Sequence, residues 1–344
     1  MPTEPDHSGV DLAAITRAAR AQAARPTAGI ADMPAYLAAQ VVDRSHRAVV
    51  GPLRAGRGAS GVVVHRGRVL AEWGDPTTVE MAFSVTKTFL SLVAGVAFDD
   101  GLLRLDDAVR DAVALPEFRV PPAHAITWRH LLQQTSGWRG TVWGKPDTAD
   151  AQSVGEPGPP GTSWAYNDVR VNLLALALTA LLGRELPDVL RERVTDPIGA
   201  TRSWSWHGYA GSRLGDLRVV SGGAHWGGGL WISAADLALV GELVRRRGSW
   251  DGRRVLSARW LDESWAPCPV RPDYGLLWWL NDGGRVLPAA PSTGRAARGN
   301  RGRHLLWVDP ARELVVASHW GDDVADLLAA VSAAIPRGAT EIAG

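Results

Sequence analysis

The sequence predicts an α+β fold in which one antiparallel sheet is flanked by helices and carries an inserted, mostly helical region. Two hairpin patterns, one towards each end of the chain, predict the sheet, because apolar runs around a tight turn are typical of paired strands. The first covers 61–73 and the second covers 304–318. From Leu102 onwards, short helical patterns alternate with loops rich in Gly and Pro. Strands near both ends with helices between them favour a sheet assembled from distant parts of the chain.

Helices are predicted where apolar residues recur at the helical period behind a capping residue. Thr127 precedes one such pattern, and Ser233 begins another whose start resembles a capping box. A strand-like run at 227–232 comes directly before the second pattern, whereas the connector 26–46 has no assigned structure. The predicted helices cover 12–24, 84–97, 128–134, 167–182, 186–194, 233–247 and 322–335. We expect an α/β sheet subdomain of 1–99 and 226–344 and a helical subdomain of 100–225, which together form one catalytic domain.

Composition argues against several classes of partner and site. The chain has 37 Lys and Arg against 36 Asp and Glu, with no long run of one sign, so neither a nucleic acid nor a membrane surface is an expected partner. Cys268 is the single cysteine, which excludes an intrachain disulfide framework and a zinc–cysteine site. The nine histidines form no metal-binding pattern, so no metal is expected. Without a secretion signal or an apolar membrane span, the expected location is cytoplasmic.

Ser84 and Lys87 stand at the start of an apolar predicted helix. Residues three apart on a helix lie on one face, about one turn from each other. A serine hydroxyl is a weak nucleophile until a base takes its proton, and a partly desolvated lysine can be that base or a positive anchor. The pair is therefore a candidate activated nucleophile. The alternative is a capping serine followed by a lysine whose stem covers apolar surface.

Aromatic residues supply two further candidates. Tyr166 follows a loop and precedes an apolar helix, where a tyrosine near a lysine can serve as a proton shuttle; the alternative is a packing residue. The chain has sixteen tryptophans, and eight of them fall between Trp128 and Trp231. They fill a core or line a cleft, and we favour the cleft for some of them.

Four motifs follow one another in a specific order. They are Ser84-x-x-Lys87, Leu131-Leu132-Gln133-Gln134-Thr135-Ser136-Gly137, Pro160-Gly161-Thr162 before Tyr166-x-Asp168, and Gly228-Gly229-Leu230-Trp231-Ile232-Ser233 before Asp236-Leu237-Ala238. Each is weak alone, but in this order they resemble the serine β-lactamase-related superfamily. Within it they resemble the branch of class C β-lactamases, penicillin-binding-protein-like esterases, D-aminopeptidases and 6-aminohexanoate-dimer hydrolases. The resemblance covers about 61–320 and implies a β-lactamase/transpeptidase-like fold with no metal or organic cofactor.

The resemblance also implies roles for single residues. Ser84 matches the nucleophile that forms an acyl-enzyme, and Lys87 matches the lysine one turn later. Tyr166 matches the tyrosine that is the base for acylation and the acid for the leaving group. Asp168 stands where the family motif has Asn. Its added negative charge either keeps Lys87 protonated or selects a cationic, amine-bearing substrate.

The third family motif, Lys/His-Thr/Ser-Gly on the strand that lines the site, is absent as such. Counting back from the second hairpin puts its position near Arg295-Ala296-Ala297. Arg298 would then donate its backbone N–H to an oxyanion together with that of Ser84. Arg295 could replace the missing charge, but we favour an exposed loop arginine at this position. The loss argues against a β-lactamase or a cell-wall peptidase, because in those enzymes the motif holds the substrate carboxylate.

The glycine-rich run 222–229 lacks the Gly-Lys-Ser/Thr of a phosphate loop and fits a loop packed beside the site. Trp226 or His225 would then border the substrate, with plain packing as the alternative. No Gly-x-Ser-x-Gly elbow is present, which disfavours a Ser-His-Asp triad.

The sequence therefore predicts a serine hydrolase that acts on a small-molecule ester, amide or lactam through a Ser84 acyl-enzyme. One alternative is an acyltransferase that passes the same acyl group to an amine or alcohol. The other is a catalytically silent binding protein on this fold. The sequence leaves the acyl group, the acceptor and the oligomeric state open.

Overall fold

The computed structural model describes residues 9–40, 51–149, 158–223 and 227–337. Helices in these ranges begin behind side-chain caps in several cases, for example Asp11, Thr127, Asn167 and Ser233. The helices are α1 (Leu12–Ala23), α2 (Met33–Ala38), α3 (Thr86–Asp99), α4 (Val109–Ala112), α5 (Trp128–Leu132), α6 (Asp168–Leu182), α7 (Leu186–Leu190), α8 (Ala234–Arg245), α9 (Ala258–Trp265) and α10 (Val324–Ala334).

Most of the strands in the described ranges are short, and the longest belong to the two predicted hairpins. The strands are β1 (Ser60–His65), β2 (Arg68–Trp73), β3 (Val79–Met81), β4 (Thr141–Val142), β5 (Lys145–Pro146), β6 (Ser205–His207), β7 (Arg213–Leu214), β8 (Leu217–Arg218), β9 (Gly229–Ser233), β10 (Ser249–Trp250), β11 (Arg253–Arg254), β12 (Trp279–Leu280), β13 (Arg295–Gly299), β14 (His304–Asp309) and β15 (Leu314–His319).

The main sheet joins the two ends of the chain. Its six strands lie in the order β12-β13-β14-β15-β1-β2, and each neighbouring pair is antiparallel. Val63 of β1 stands opposite Val316 of β15, so the N-terminal and C-terminal hairpins meet at the centre of the sheet. Both predicted hairpins and the predicted sheet built from distant segments are confirmed.

Alternation along the strands gives the sheet two buried faces. Val62, Leu306 and Val315 point towards a core that includes α3 and α8. Val63 and Val316, one position away, point towards α1 and α10. These central positions are apolar on both faces because helices cover the sheet on both sides.

A smaller sheet positions the start of α3. Its strands lie in the order β3-β9-β6, and Met81 at the end of β3 pairs with Trp231 of β9. The Ala82 N–H then donates to the Leu230 carbonyl at 2.8 Å, which extends the pairing to the residue before Phe83. The third strand, β6, comes from the predicted helical subdomain, so the division at about 225 stays a prediction.

Each of the predicted helices is present, with ends that differ by a few residues. The structure adds elements that the sequence did not predict, among them α2 inside the connector 26–46, α9, and the strands β3 and β12. These elements have two to eight residues, too few for a periodic pattern to show. Within the described ranges, none of the helices has the length and apolar character that crossing a bilayer requires.

Candidate active site

The candidate nucleophile lies in a turn between two sheets and a buried helix. Ser84 is the middle residue of a single 3₁₀ turn, Phe83–Val85, which leads directly into α3. Phe83 has a φ of 49°, a left-handed backbone conformation that is strained for a bulky residue. Its side chain is buried, whereas Ser84 is partly exposed. The turn therefore presents one hydroxyl to the solvent from an otherwise buried segment.

Lys87 bridges two oxygen atoms. In the first turn of α3, its Nζ lies 2.8 Å from Ser84 Oγ and 2.6 Å from Asp168 Oδ1. Both Lys87 and Asp168 are almost completely buried, with side chains 2% and 6% exposed. The predicted contact between Ser84 and Lys87 is present. Since its Oδ1 is bound to Lys87 in a buried position, Asp168 fits the expectation of a lysine partner better than that of a substrate-binding residue.

Tyr166 completes the cluster. Ser84 and Lys87 both lie near enough to its hydroxyl to lower its pKa, and Lys87 Nζ lies 4.5 Å from the centre of its ring. Gln134 holds the backbone on both sides of Tyr166: its carbonyl accepts the Ala165 N–H at 3.1 Å, and its Oε1 accepts the Asn167 N–H at 2.8 Å. Gln134 itself has a φ of 57°. The Gln134 motif therefore supports the loop that carries Tyr166.

The surroundings of Lys87 and Tyr166 shift the pKa of each group and so determine its protonation state. Burial alone would lower the pKa of Lys87, but the Asp168 carboxylate, with a smaller contribution from Tyr166, reverses this and raises the lysine pKa above its ordinary value. Burial raises the pKa of Tyr166, and the nearby Lys87 charge offsets this only in part. In the resting site Lys87 is therefore an ammonium and Tyr166 a neutral phenol.

Asp168 is held from two sides. It is the first residue of α6, where the positive end of the helix dipole stabilises a carboxylate. Gly223 packs against it so closely that a Cβ there would lie 2.5 Å from Asp168 Cβ. Asn172 Oδ1 fixes this glycine segment by accepting the N–H groups of Gly222 and Gly223 at 2.9 and 3.1 Å. The glycine-rich run thus packs beside the site as expected. Residues 224–226, including His225 and Trp226, lie outside the described residues.

Strand β13 brings backbone groups to the nucleophile turn. A Cβ on Gly299 would lie 3.0 Å from the Ser84 nitrogen and 2.6 Å from the Ala82 carbonyl oxygen, so the end of β13 abuts this turn. The Asn281 N–H donates to the Gly294 carbonyl at 3.1 Å, and Trp279 of β12 pairs with Ala296. Antiparallel alternation then turns the backbone groups of Ala296, and of Arg298 two residues later, towards the β12 edge.

Strand β12 turns away from β13 before it reaches Arg298. Leu277, the residue that would stand opposite, has a φ of 61° and donates its N–H to the Leu132 carbonyl at 3.0 Å. The Thr88 hydroxyl fixes the same segment by donating to the Leu277 carbonyl at 2.9 Å. The Arg298 N–H therefore points to the β12 edge, one residue before Gly299, which abuts the turn that carries Ser84.

The side chains of the two candidate arginines differ in their surroundings. Arg295 belongs to β13, and its guanidinium forms an ion pair with Asp282 at 2.9 Å in a side chain only 16% exposed. The expectation of an exposed loop arginine is wrong, because β13 begins at this residue. Arg298 lies closer to the cluster: its guanidinium sits 5.8 Å from the ring centre of Trp279 and donates to the Val286 carbonyl at 3.3 Å.

An aromatic wall borders Tyr166. Trp279 stacks on the Tyr166 ring at 5.8 Å, Trp164 lies 6.1 Å from it, and Tyr274 contacts both tryptophans. Two of these wall residues, Tyr274 and Trp279, were not predicted from the sequence. The high proportion of aromatic residues between them could have indicated this part of the site. The predicted tryptophan cleft is thus represented by Trp164, whereas five tryptophans fill the core at 6% exposure or less: Trp128, Trp138, Trp204, Trp206 and Trp231.

A buried histidine pair packs against the turn that carries Ser84. His304 and His319 are adjacent on β14 and β15, and their Nδ1 atoms lie 2.8 Å apart, so one donates and the other accepts. The His304 ring packs against Phe83 at 4.8 Å. Burial, with the neighbouring His319 and Arg303, holds the pKa of His304 well below 6.5, and burial lowers the pKa of His319 to about 4.

This pair predicts a loss of stability in acid. Between pH 6.5 and about 4, the unfolded chain binds protons that the folded pair excludes, so the free energy of unfolding falls as the pH drops, by up to ~1.4 kcal/mol per pH unit for each histidine. Urea unfolding at several pH values measures this slope. The double variant His304→Leu/His319→Leu removes both partners of the hydrogen bond, and we expect a shallower slope. Equal slopes in both proteins would contradict the assignment.

Among the described residues, no three His, Cys, Asp or Glu side chains are grouped so that they could hold a metal ion. The arrangement offers instead a partly exposed hydroxyl, a lysine and a tyrosine in contact with it, and strand backbone beside it. Together with the antiparallel sheet flanked by helices, these features define a protein of the β-lactamase/transpeptidase-like class.

Comparisons with known proteins identify the family. The model of the Beta-lactamase family matches residues 46–323, and the chain belongs to this family. It is similar to penicillin-binding protein 4 of Amycolatopsis lactamdurans, with 31% identity over 231 residues. That match covers 58% of this chain and 59% of the relative, so the chain spans less than two thirds of its length.

Solved structures share the fold at low sequence identity. A penicillin-binding-protein homologue from Caulobacter crescentus has 16% identity and a TM-score of 0.63, with 97% of this chain and 99% of that chain covered. A β-lactamase from Mycobacterium bovis has 24% identity and a TM-score of 0.58, with 80% and 93% covered. The expected superfamily and fold are confirmed.

Proposed function

We propose that this protein is a serine hydrolase that cleaves a small-molecule ester or amide through an acyl-enzyme on Ser84. One observation carries the proposal: a partly exposed Ser84 hydroxyl lies 2.8 Å from Lys87 Nζ, and Tyr166 is the tyrosine beside this pair. Family membership supports the coarse class, since the Beta-lactamase family is consistent with serine hydrolase chemistry.

Catalysis then follows the usual sequence of acyl transfer. The Ser84 proton passes to the Lys87–Tyr166 pair once one of the two groups has given up its own proton, and Ser84 Oγ attacks the carbonyl carbon. The backbone N–H groups of Ser84 and Arg298 would stabilise the oxyanion, which is supported by the contact of the neighbouring Gly299 with the Ser84 turn. Tyr166 returns a proton to the leaving group. Water then attacks the acyl-enzyme and gives its proton to the same pair, and the acyl group is released as Ser84 regains its proton.

The surroundings suggest the shape of the substrate. The rings of Trp164, Tyr166 and Trp279 offer an apolar wall for an acyl or leaving group. Because Arg295 is neutralised by Asp282, the guanidinium of Arg298 is the better candidate for the charge that the missing third motif would supply. No cofactor is needed for these steps.

Transfer of the acyl group to an amine or alcohol is the second candidate. The aromatic wall favours it, because apolar surfaces around an acyl-enzyme slow the attack of water relative to that of a bound acceptor. A catalytically silent binding protein is disfavoured by the contacts that Ser84, Lys87 and Tyr166 make with one another.

One experiment tests the proposal and separates hydrolysis from transfer. The enzyme is mixed with p-nitrophenyl acetate, and intact mass identifies an acetyl adduct that maps to Ser84. An amine or alcohol is then added at increasing concentration, and the ratio of transfer product to acetate is measured. We expect acetate to dominate. A ratio that saturates with acceptor concentration would reveal an acceptor site and favour the transferase, while the absence of any Ser84 adduct, also with a fluorophosphonate, would favour the silent protein.

A further inference from the structure

The resting charges of the site leave Ser84 without a base. Lys87 is an ammonium with no lone pair to accept a proton, and Tyr166 is a neutral phenol whose ionisation is opposed by burial and by the Asp168 charge. Asp168 is the anion in direct contact with this cluster, 2.6 Å from Lys87 Nζ. The family motif has Asn at this position, and an amide cannot accept a proton there.

We propose that Asp168 is the terminal proton acceptor of a Ser84–Lys87–Asp168 relay. The inference rests on the proposed function, because it concerns how Ser84 becomes a nucleophile. Two distances carry it: the same nitrogen lies 2.8 Å from the hydroxyl that must lose a proton and 2.6 Å from the carboxylate oxygen that can take one.

The proton steps balance within the site. Lys87 gives one N–H proton to Asp168 Oδ1, which produces a neutral amine and a neutral carboxylic acid. Rotation about the Cε–Nζ bond turns the amine lone pair towards Ser84. Lys87 Nζ then takes the Ser84 proton as Oγ bonds to the carbonyl carbon. When the leaving group departs, a proton passes to it from Lys87, through Tyr166 or directly, and Asp168 returns its proton to Lys87.

Burial makes the neutral form of the pair accessible. Moving two charges out of water is costly, and neutralisation by proton transfer removes that cost. Asp168 and Lys87 have side chains 6% and 2% exposed, so solvent screens their charges little. Gly223 packs directly on Asp168 and adds no charge. Among the described residues, Tyr166 and Tyr274 interact electrostatically with the pair, Ser84 bonds to Lys87, and Arg298 interacts with Tyr166.

The relay predicts a distinctive pH dependence. Proton transfer inside a closed pair does not change the number of bound protons, so the acylation rate is independent of pH while the pair holds its single extra proton. If Asp168 only stabilised the ammonium, Lys87 would have to lose its proton to the solvent. The rate would then rise about tenfold per pH unit throughout the range in which Lys87 stays charged.

The test combines two measurements on the full chain. Stopped-flow release of p-nitrophenol from p-nitrophenyl acetate gives the acylation rate from pH 6 to 9, and this activated leaving group needs no proton. Nitrogen-15 NMR of the lysine side chains gives the charge of Lys87, and the chain has only one other lysine, Lys145. We expect a wild-type rate that changes less than about threefold while Lys87 remains an ammonium.

Asp168→Asn is the matched variant, because the amide has the shape of the carboxylate. Without the anion, burial lowers the lysine pKa, and we expect the acylation rate to follow the titration of Lys87 wherever it then falls. Asp106→Asn, which removes an exposed carboxylate bound to Arg129, should leave the wild-type profile unchanged.

The outcomes are distinguishable. A wild-type rate that rises about tenfold per pH unit over this range overturns the relay, although Ser84 is still acylated and the proposed function stands. An Asp168→Asn rate that stays flat while its Lys87 remains an ammonium overturns it as well. If no Ser84 adduct forms in the wild type, the proposed function fails and the relay falls with it. Should Asp168→Asn not fold, the wild-type slope alone decides.

Discussion

Ser84→Ala is expected to reduce the turnover of p-nitrophenyl acetate by about 10⁴-fold or more while the protein folds normally. The loss is large because the hydroxyl forms the covalent bond, and removal of a nucleophile typically costs several orders of magnitude. Stability should change little, since Ser84 is partly exposed and Lys87 keeps its ion pair with Asp168 at 2.6 Å. Steady-state kinetics and thermal unfolding measure the two effects separately.

Ser91→Ala is the matched control for this substitution. Ser91 lies on α3, the helix that follows the Ser84 turn; it is completely buried, and its hydroxyl has no hydrogen-bond partner among the described residues. Removing that hydroxyl should change neither turnover nor folding appreciably. Turnover within about tenfold of wild type in Ser84→Ala would remove Ser84 from the role of nucleophile.

The sequence predicts the larger part of the fold because its long elements carry their own patterns. The hairpin strands β1, β2, β14 and β15 alternate or run apolar around tight turns, and α3 and α6 are long, apolar and preceded by capping or turn residues. Elements that depend on tertiary contacts carry no such pattern. β12 is two residues long and exists because it pairs with β13. Its pairing indicates the edge of β13 onto which the N–H of Arg298, the proposed oxyanion donor, points.

The contacts of the site that lie within one helical turn can be predicted from the sequence, whereas those that depend on tertiary packing cannot. Ser84 and Lys87 are three residues apart, so their contact follows from helix geometry alone. Lys87 and Asp168 are 81 positions apart, and their contact depends on the packing of α3 against α6. The sequence therefore left two alternatives open for the role of Asp168. The turn at Leu277 brings Trp279 and Tyr274 to the site. Its left-handed backbone conformation could not be predicted, because a leucine in the sequence does not indicate one.

Lys87→Arg is expected to lower kcat/KM for the same ester by about 10³-fold, the loss typical of removing a general base. The arginine keeps the positive charge, so the ion pair with Asp168 and the folded state should survive. Its guanidinium, however, does not give up a proton, so it cannot accept one from Ser84 Oγ as the Lys87 amine 2.8 Å away can. The variant therefore separates charge from proton transfer.

The small number of lysines in the chain gives both the reason for the Lys87→Arg test and its control. Only two of its 37 basic residues are lysines, so arginine serves nearly everywhere that a positive charge suffices. Lys145→Arg makes the same exchange at the other buried lysine, and we expect turnover close to wild type at a comparable thermal midpoint. Should Lys87→Arg turn over like Lys145→Arg, the Lys87 amine would have no part in proton transfer and its contact with Asp168 would be structural. A loss confined to Lys87→Arg, with both variants folded, would place the chemistry on the nitrogen between Ser84 and Asp168.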